Sequence, residues 1–224
     1  PSLIISIKIL NFYNGIKMNS ASEKFSKQLP RQAKRIIKRE HDRAVSYFRQ
    51  LNYIKTKDSI NKVLNLDPEN SAAIVLLARV AFVTNDFSNA EHLTNNVVIN
   101  DPSYVDAHKL LGDIYSKTGS FDKAEQSYQK AIKFRPNFFD AHYCLGLSLM
   151  EMGQHGPASV YLRNAAVLKP DHKNYWTTWA NCLSRVAFVK NDEFLNEDLL
   201  TLLKQTTISP GPFVRSIISA LHFD

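Results

Sequence analysis

His108 and His142 stand 34 residues apart, and Asp106 and Asp140 recur with the same step. Imidazoles and carboxylates bind metals and move protons, so a repeated His and Asp is where chemistry is first sought. Two ligands without a third make no metal site. Both histidines hold one position of a longer repeat, where packing of helix on helix accounts for them. The aspartates read as solvated first-turn acids favoured by the helix dipole. Cys144 and Cys182 lie in helical, apolar stretches, outside any CxxC or Cys/His cluster, and read as reduced thiols of a cytosolic protein. The chain has no GxGxxG after a strand, no GxxxxGK[ST], no HExxH and no GxSxG, and "GQHGPA" is a turn. The sequence therefore offers no catalytic residue, no cofactor site and no metal site.

The step of 34 is the dominant pattern. Gly112 returns as Gly146, Ala90 as Ala124 and Ala158, Ala131 as Ala165, and Pro68 as Pro102, Pro136 and Pro170. Within residues 105–138 apolar residues at helical spacing (Ala107, Leu110, Leu111, Ile114, Tyr115) predict a first helix. "KTGS" breaks it, with Gly119 suited to a left-handed C-cap and Ser120 to an N-cap. A second helix buries Phe121, Ala124, Tyr128, Ala131 and Ile132, and Pro136 ends it. Gly112 and Ala124 sit where the two helices cross, since a larger side chain would push their axes apart. Each pair then stacks on the next, because one pair alone cannot bury its apolar faces.

These residues resemble the tetratricopeptide repeat (TPR), whose pattern is aromatic–x2–Leu–Gly–x2–Tyr, then Ala, aromatic, Ala and Pro. Residues 105–138 match at Leu111, Gly112, Tyr115, Ala124, Tyr128, Ala131 and Pro136, with His108 for the first aromatic. Residues 139–172 match at Leu145, Gly146, Ala158, Ala165 and Pro170, with His142 for the aromatic. Residues 71–104 keep Leu77, Ala90 and Pro102, with Ala78 for Gly. Residues 37–70 are marginal, and a half-repeat starts at 173 with Trp176. The expected fold is all-α, a right-handed superhelical array of helix-turn-helix repeats over 71–187. A basic capping helix and degenerate repeat (31–70) precede it, and connector helices (188–224) follow.

The resemblance implies that first helices line a groove for peptides or partner helices. Carried over by register, that groove takes Val75, Arg79 and Phe82 from one repeat and Lys109, Asp113, Ser116 and Lys117 from the next. Tyr143, Leu147 and Met150 form an apolar strip, either partner anchor or core, and Asn174 and Asn181 follow. Repeats that clamp the carboxylate terminus of chaperones use Lys and Asn on these faces. Here Lys109 has Asp113 one turn on, Cys144 stands where Asn is wanted and Thr178 where a basic residue is wanted, so no such clamp is expected.

The net charge of +7 is concentrated near the N-terminus. Residues 23–49 hold nine Lys/Arg and three acids. This segment reads first as a solvated cap, since no interleaved aromatics or known module accompany it; nucleic-acid binding through residues 24–49 is the further alternative, and it predicts a steep salt dependence. "PSLIISIKILNFYNGIK" is interrupted by Lys8 and too short to span a bilayer; Met18 reads as the natural start, and residues 1–30 as a poorly ordered extension. No other stretch is apolar enough for a span. "NEDLLTLLK", with Asn196 as N-cap, and "FVRSIISALHF" after "SPGP" predict two helices. Together with "YWTTWANCLSRVAF" they resemble the connector of bacterial proteins in which such repeats precede a methyltransferase, sulfotransferase or glycosyltransferase domain. The sequence thus points to a cytoplasmic protein-interaction module without catalysis of its own. The alternative is an accessory region of a bacterial transferase.

Overall fold

The computed structural model describes residues 29–183, 185 and 186. Among the described residues there are nine helices and no strand, so the chain is an all-α repeat array. The connector helices expected over 188–224 lie outside the described residues, as does the N-terminal extension up to residue 28. In chain order the helices run as pairs: α1 (Arg31–Arg49) and α2 (Tyr53–Leu66), α3 (Ser71–Val83) and α4 (Phe87–Asn100), α5 (Val105–Lys117) and α6 (Phe121–Phe134), α7 (Phe139–Glu151) and α8 (His155–Leu168). A single helix, α9 (Lys173–Leu183), follows. The chain forms two compact units that meet in sequence at Val80 and Ala81, inside α3.

One turn chemistry is used four times. Leu51, Asn85, Gly119 and Gly153 have φ of 59°, 61°, 75° and 74° and follow one another at steps of 34. At each, two backbone N–H groups fold back on the preceding helix. The left-handed residue donates three residues back, as in Gly119 to Ser116 O (3.2 Å), and its successor donates five back, as in Ser120 to Tyr115 O (2.8 Å). This is the Schellman closure, which satisfies helix-end carbonyls that would otherwise be orphaned. The next helix starts one residue later. Asn52 and Asp86 cap it with their side chains, accepting from Lys55 N (3.1 Å) and Asn89 N (3.3 Å). Ser120 occupies the expected N-cap position of α6, but its hydroxyl makes no capping bond. The expected place holds without the expected bond.

Second helices end just before proline. Asp67, Asp101, Arg135 and Lys169 have φ between −141° and −133° and ψ between 72° and 89°. A following proline ring excludes helical geometry at its predecessor, so four prolines in register end four helices alike.

In the first unit α1 packs on α2 around Ala44, Ile60, Val63, Ala73 and Leu76. In the second unit α5 packs on α6 and α7 on α8, and the pairs are joined through α4–α5, α6–α7 and α8–α9. Its core includes Tyr128, Leu145, Leu149, Leu162, Trp176 and Trp179. The small residues Ala90, Ala124, Ala131, Ala158 and Ala165 are fully buried at the helix crossings, and Gly112 and Gly146 are buried with them. Leu111 is buried, Tyr115 is half-buried, and Leu77 packs on the first unit's core.

Candidate functional site

The recurring histidines are tied into the fold. The ring N–H at His108 Nε2 donates to Pro102 O and that at His142 Nε2 to Pro136 O, both at 2.7 Å. Trp176, one repeat further, donates from Nε1 to Pro170 O at 2.9 Å. A carbonyl only accepts, so each imidazole carries its proton on Nε2. Three repeats thus pin the start of a first helix to the prolyl carbonyl six residues back. The sequence identified the packing position but not this bond, and the shared six-residue offset to proline was the available signal. Among the described residues no group of three His, Cys, Asp or Glu is placed to hold a metal.

The first helices of the second unit carry a polar frame. Asp113 accepts from Lys109 Nζ (2.7 Å) and, on its other oxygen, from Tyr128 OH (2.9 Å). Burial alone would lower the Lys109 pKa, but the carboxylates of Asp113 and, further off, Asp140 hold it above the ordinary lysine value. Burial, reinforced by Asp113, raises that of the Tyr128 phenol, which stays a neutral donor. Tyr175 on α9 donates to Asp140 on α7 at 2.7 Å, and burial together with that bond raises its pKa. Tyr143 OH lies 3.2 Å from Thr178 Oγ1, and the rings of Tyr143 and Tyr175 are 4.4 Å apart. His172 also stacks on Tyr175, with ring centroids 4.1 Å apart. Ser116 and Ser148 approach to 3.5 Å.

The groove residues expected from the sequence fall into three groups. Lys109, Asp113, Ser116 and Tyr143 are brought into this frame. Met150 packs against the core, whereas Leu147 between Tyr143 and Met150 remains 36% exposed, so the apolar strip is split. Lys117, Asn174 and Asn181 are exposed on α5 and α9. In the first unit Val75 is buried, and the Arg79 guanidinium lies 5.3 Å from the centre of the Phe48 ring. In the second, Phe82 is half-buried and meets Phe87 edge-on at 5.8 Å. Asp140, Tyr175 and Thr178 were not expected in this frame. The 35-residue offsets of Tyr175 from Asp140 and of Thr178 from Tyr143 connect like faces of successive first helices.

Residues 112–153 match the family model of the TPR repeat. The chain has a tetratricopeptide-repeat fold. Several solved TPR structures share it. One is pilF of Pseudomonas aeruginosa, at 15% identity over 83% of this chain and 78% of pilF, with a TM-score of 0.66. A second is TTC0263, a thermophilic TPR protein of Thermus thermophilus, at 19% identity over 83% of this chain and 98% of that one, with a TM-score of 0.59. A third is YrrB, a TPR protein with an unusual peptide-binding site, at 21% identity over 66% of this chain and 74% of YrrB, with a TM-score of 0.54. At these identities the likeness is one of fold. No curated protein sequence matches this chain. In TPR terms, α5, α7 and α9 are the first helices of successive repeats, and the tied polar frame runs along them. Among the described residues no helix is long and apolar enough to cross a membrane.

Proposed function

We propose that the face formed by α5, α7 and α9 docks a peptide segment or helix of a partner protein, with Leu147 as its apolar anchor point. The observation that carries this reading is the arrangement around Leu147. Tyr143, one turn before it on α7, and Asp140 and Tyr175, further along the same frame, are fixed by hydrogen bonds and ring contacts, while Leu147 itself is 36% exposed. A rigid surface loses little side-chain entropy on binding, and an apolar contact within a polar surround excludes water from its neighbours. The unusual peptide-binding site of YrrB supports peptide recognition as a use of this fold.

Two charged groups of this face already have partners within it. Lys109 is held by Asp113 and Asp140 is capped by Tyr175. The partner segment is therefore an apolar side chain flanked by neutral polar residues, and an acidic carboxylate terminus is not attracted. The module binds rather than catalyses and works in the cytoplasm.

Peptides selected against the full chain from a displayed library test this. Leu147→Glu is expected to weaken the selected peptides at least tenfold without changing the thermal melt. Equal binding by the variant would refute it. The alternative, an accessory array serving a bacterial transferase, predicts an open reading frame after Asp224 that enters a catalytic α/β domain.

A further inference from the structure

Helix α1 carries seven Lys/Arg against two acids, five of the seven being arginine. Between Ala81 and Val186 ten Lys/Arg balance ten Asp/Glu, so the cationic excess of the described residues belongs to the first unit. At 3.6 residues per turn, Arg31, Arg35, Lys38, Arg39 and Arg49 fall within an arc of about 100° on one side of the helix. All five are exposed. The opposite side, with Ile37, Ala44 and Phe48, is committed to the core shared with α2. The row is about 27 Å long at 1.5 Å per residue.

A buried carboxylate organises its flank. Glu40 is 2% exposed, yet Arg43 reaches its Oε1 at 2.8 Å and Arg39 at 3.3 Å. Lys62, from α2, stands 3.8 Å from its Oε2, which accepts no hydrogen bond. Three cations gathered on one carboxylate leave a fixed positive excess. The side chains of Arg39, Arg43 and Lys62 are 62%, 53% and 61% exposed, so all three remain accessible from solvent. Arg35, Lys38, Arg39, Asp42, Arg43 and Ser46 line a shallow trough of about 480 Å³ along this side.

We infer that this side of α1, extended by Lys62, is a binding rail for the phosphate backbone of a nucleic acid, engaged without regard to base sequence. A strand carries one phosphate every 3.4 Å or so in a duplex, which supplies a dense linear anion for a linear cationic row. Guanidinium forks suit phosphate oxygens in pairs. A membrane surface fits less well, because interfacial helices insert an apolar face, and that of α1 is spent on α2.

The test is fluorescence anisotropy of labelled 20-nucleotide single strands and 20-base-pair duplexes with the full chain, from 50 to 200 mM KCl. Binding is expected at about 1–100 μM at low salt, independent of sequence and falling steeply with salt. The variant R31Q/R35Q/K38Q spares the residues around Glu40 and so keeps the fold. On duplex it is expected to flatten the log–log salt slope by about 2–3, the loss of up to three phosphate contacts. No binding at 50 mM, or an unchanged slope in the variant, overturns the inference. So does tighter binding to phosphatidylserine vesicles or to polyglutamate than to nucleic acid.

Discussion

The ring of Tyr128 occupies the space above Gly112, and a Cβ built on that glycine would lie 2.4 Å from Cε1 of the ring. Tyr128 is 2% exposed and held by Asp113, so the ring has nowhere to go. Gly146 repeats the relation with Leu162, at 2.6 Å, and with the backbone oxygen of Ala158 at 3.3 Å. Gly112→Ala and Gly146→Ala are each expected to destabilise by about 1–2 kcal/mol, overpacking outweighing the gain in helix propensity. Gly156, with nothing within 4 Å of its virtual Cβ, is the control. Gly156→Ala is expected to be neutral or stabilising by up to about 1 kcal/mol, all three variants being read by urea titration.

Leu51 is the bulky member of the fourfold left-handed set, with φ of 59° and 71% exposure. A left-handed backbone costs a β-carbon residue about 1–2 kcal/mol, and this side chain recovers little by packing. Leu51→Gly is expected to stabilise by about 0.5–1 kcal/mol once the greater freedom of glycine in the unfolded chain is subtracted. The urea midpoint reads this directly, and a fall in midpoint would contradict it.

The ring N–H bond to a prolyl carbonyl separates packing from hydrogen bonding. His142→Phe keeps an aromatic ring but leaves Pro136 O without its donor, and is expected to cost about 1 kcal/mol. Trp176→Phe removes the same bond to Pro170 O and should behave alike. Phenylalanine variants as stable as the parent would show that the rings serve only to fill space.

Burial pushes the thiols of Cys144 and Cys182 from 9.0 up to about 11, against the opposing pull of Lys109 on the one and Arg185 on the other. Both stay protonated near neutrality, so alkylation of the folded protein should be slow at pH 7–9 and quicken only as the pH nears 11. The stability linked to these neutral thiols is fully present below pH 9 and is lost as the pH rises through about 11. Rapid labelling of either cysteine at pH 7.5 under native conditions would contradict this.

Much of the fold is legible in spacing because its parts repeat. Prolines at one register stop second helices, and Gly119 and Gly153 close first helices. Leu51 and Asn85 close theirs with the same geometry but without glycine, because the repeat imposes the turn on whatever residue stands there. That is why the earliest pair is hard to recognise by composition. The docking face was legible only in outline. Leu147 and Met150 share a side of α7 by periodicity, yet Met150 is taken up by the core. The bonds from Tyr175 to Asp140 and from Tyr143 to Thr178 depend on how far one helix is displaced over the next. Spacing along one helix does not contain that displacement.

Docking of a partner segment around Leu147 on the α5–α7–α9 face is tested most directly by following backbone amide resonances of the full chain as a library-selected peptide is added. The largest shifts are expected at Tyr143, Leu147 and Thr178, and they should disappear in Leu147→Glu. Saturable binding whose shifts fall on α6 and α8, untouched by that substitution, would contradict it.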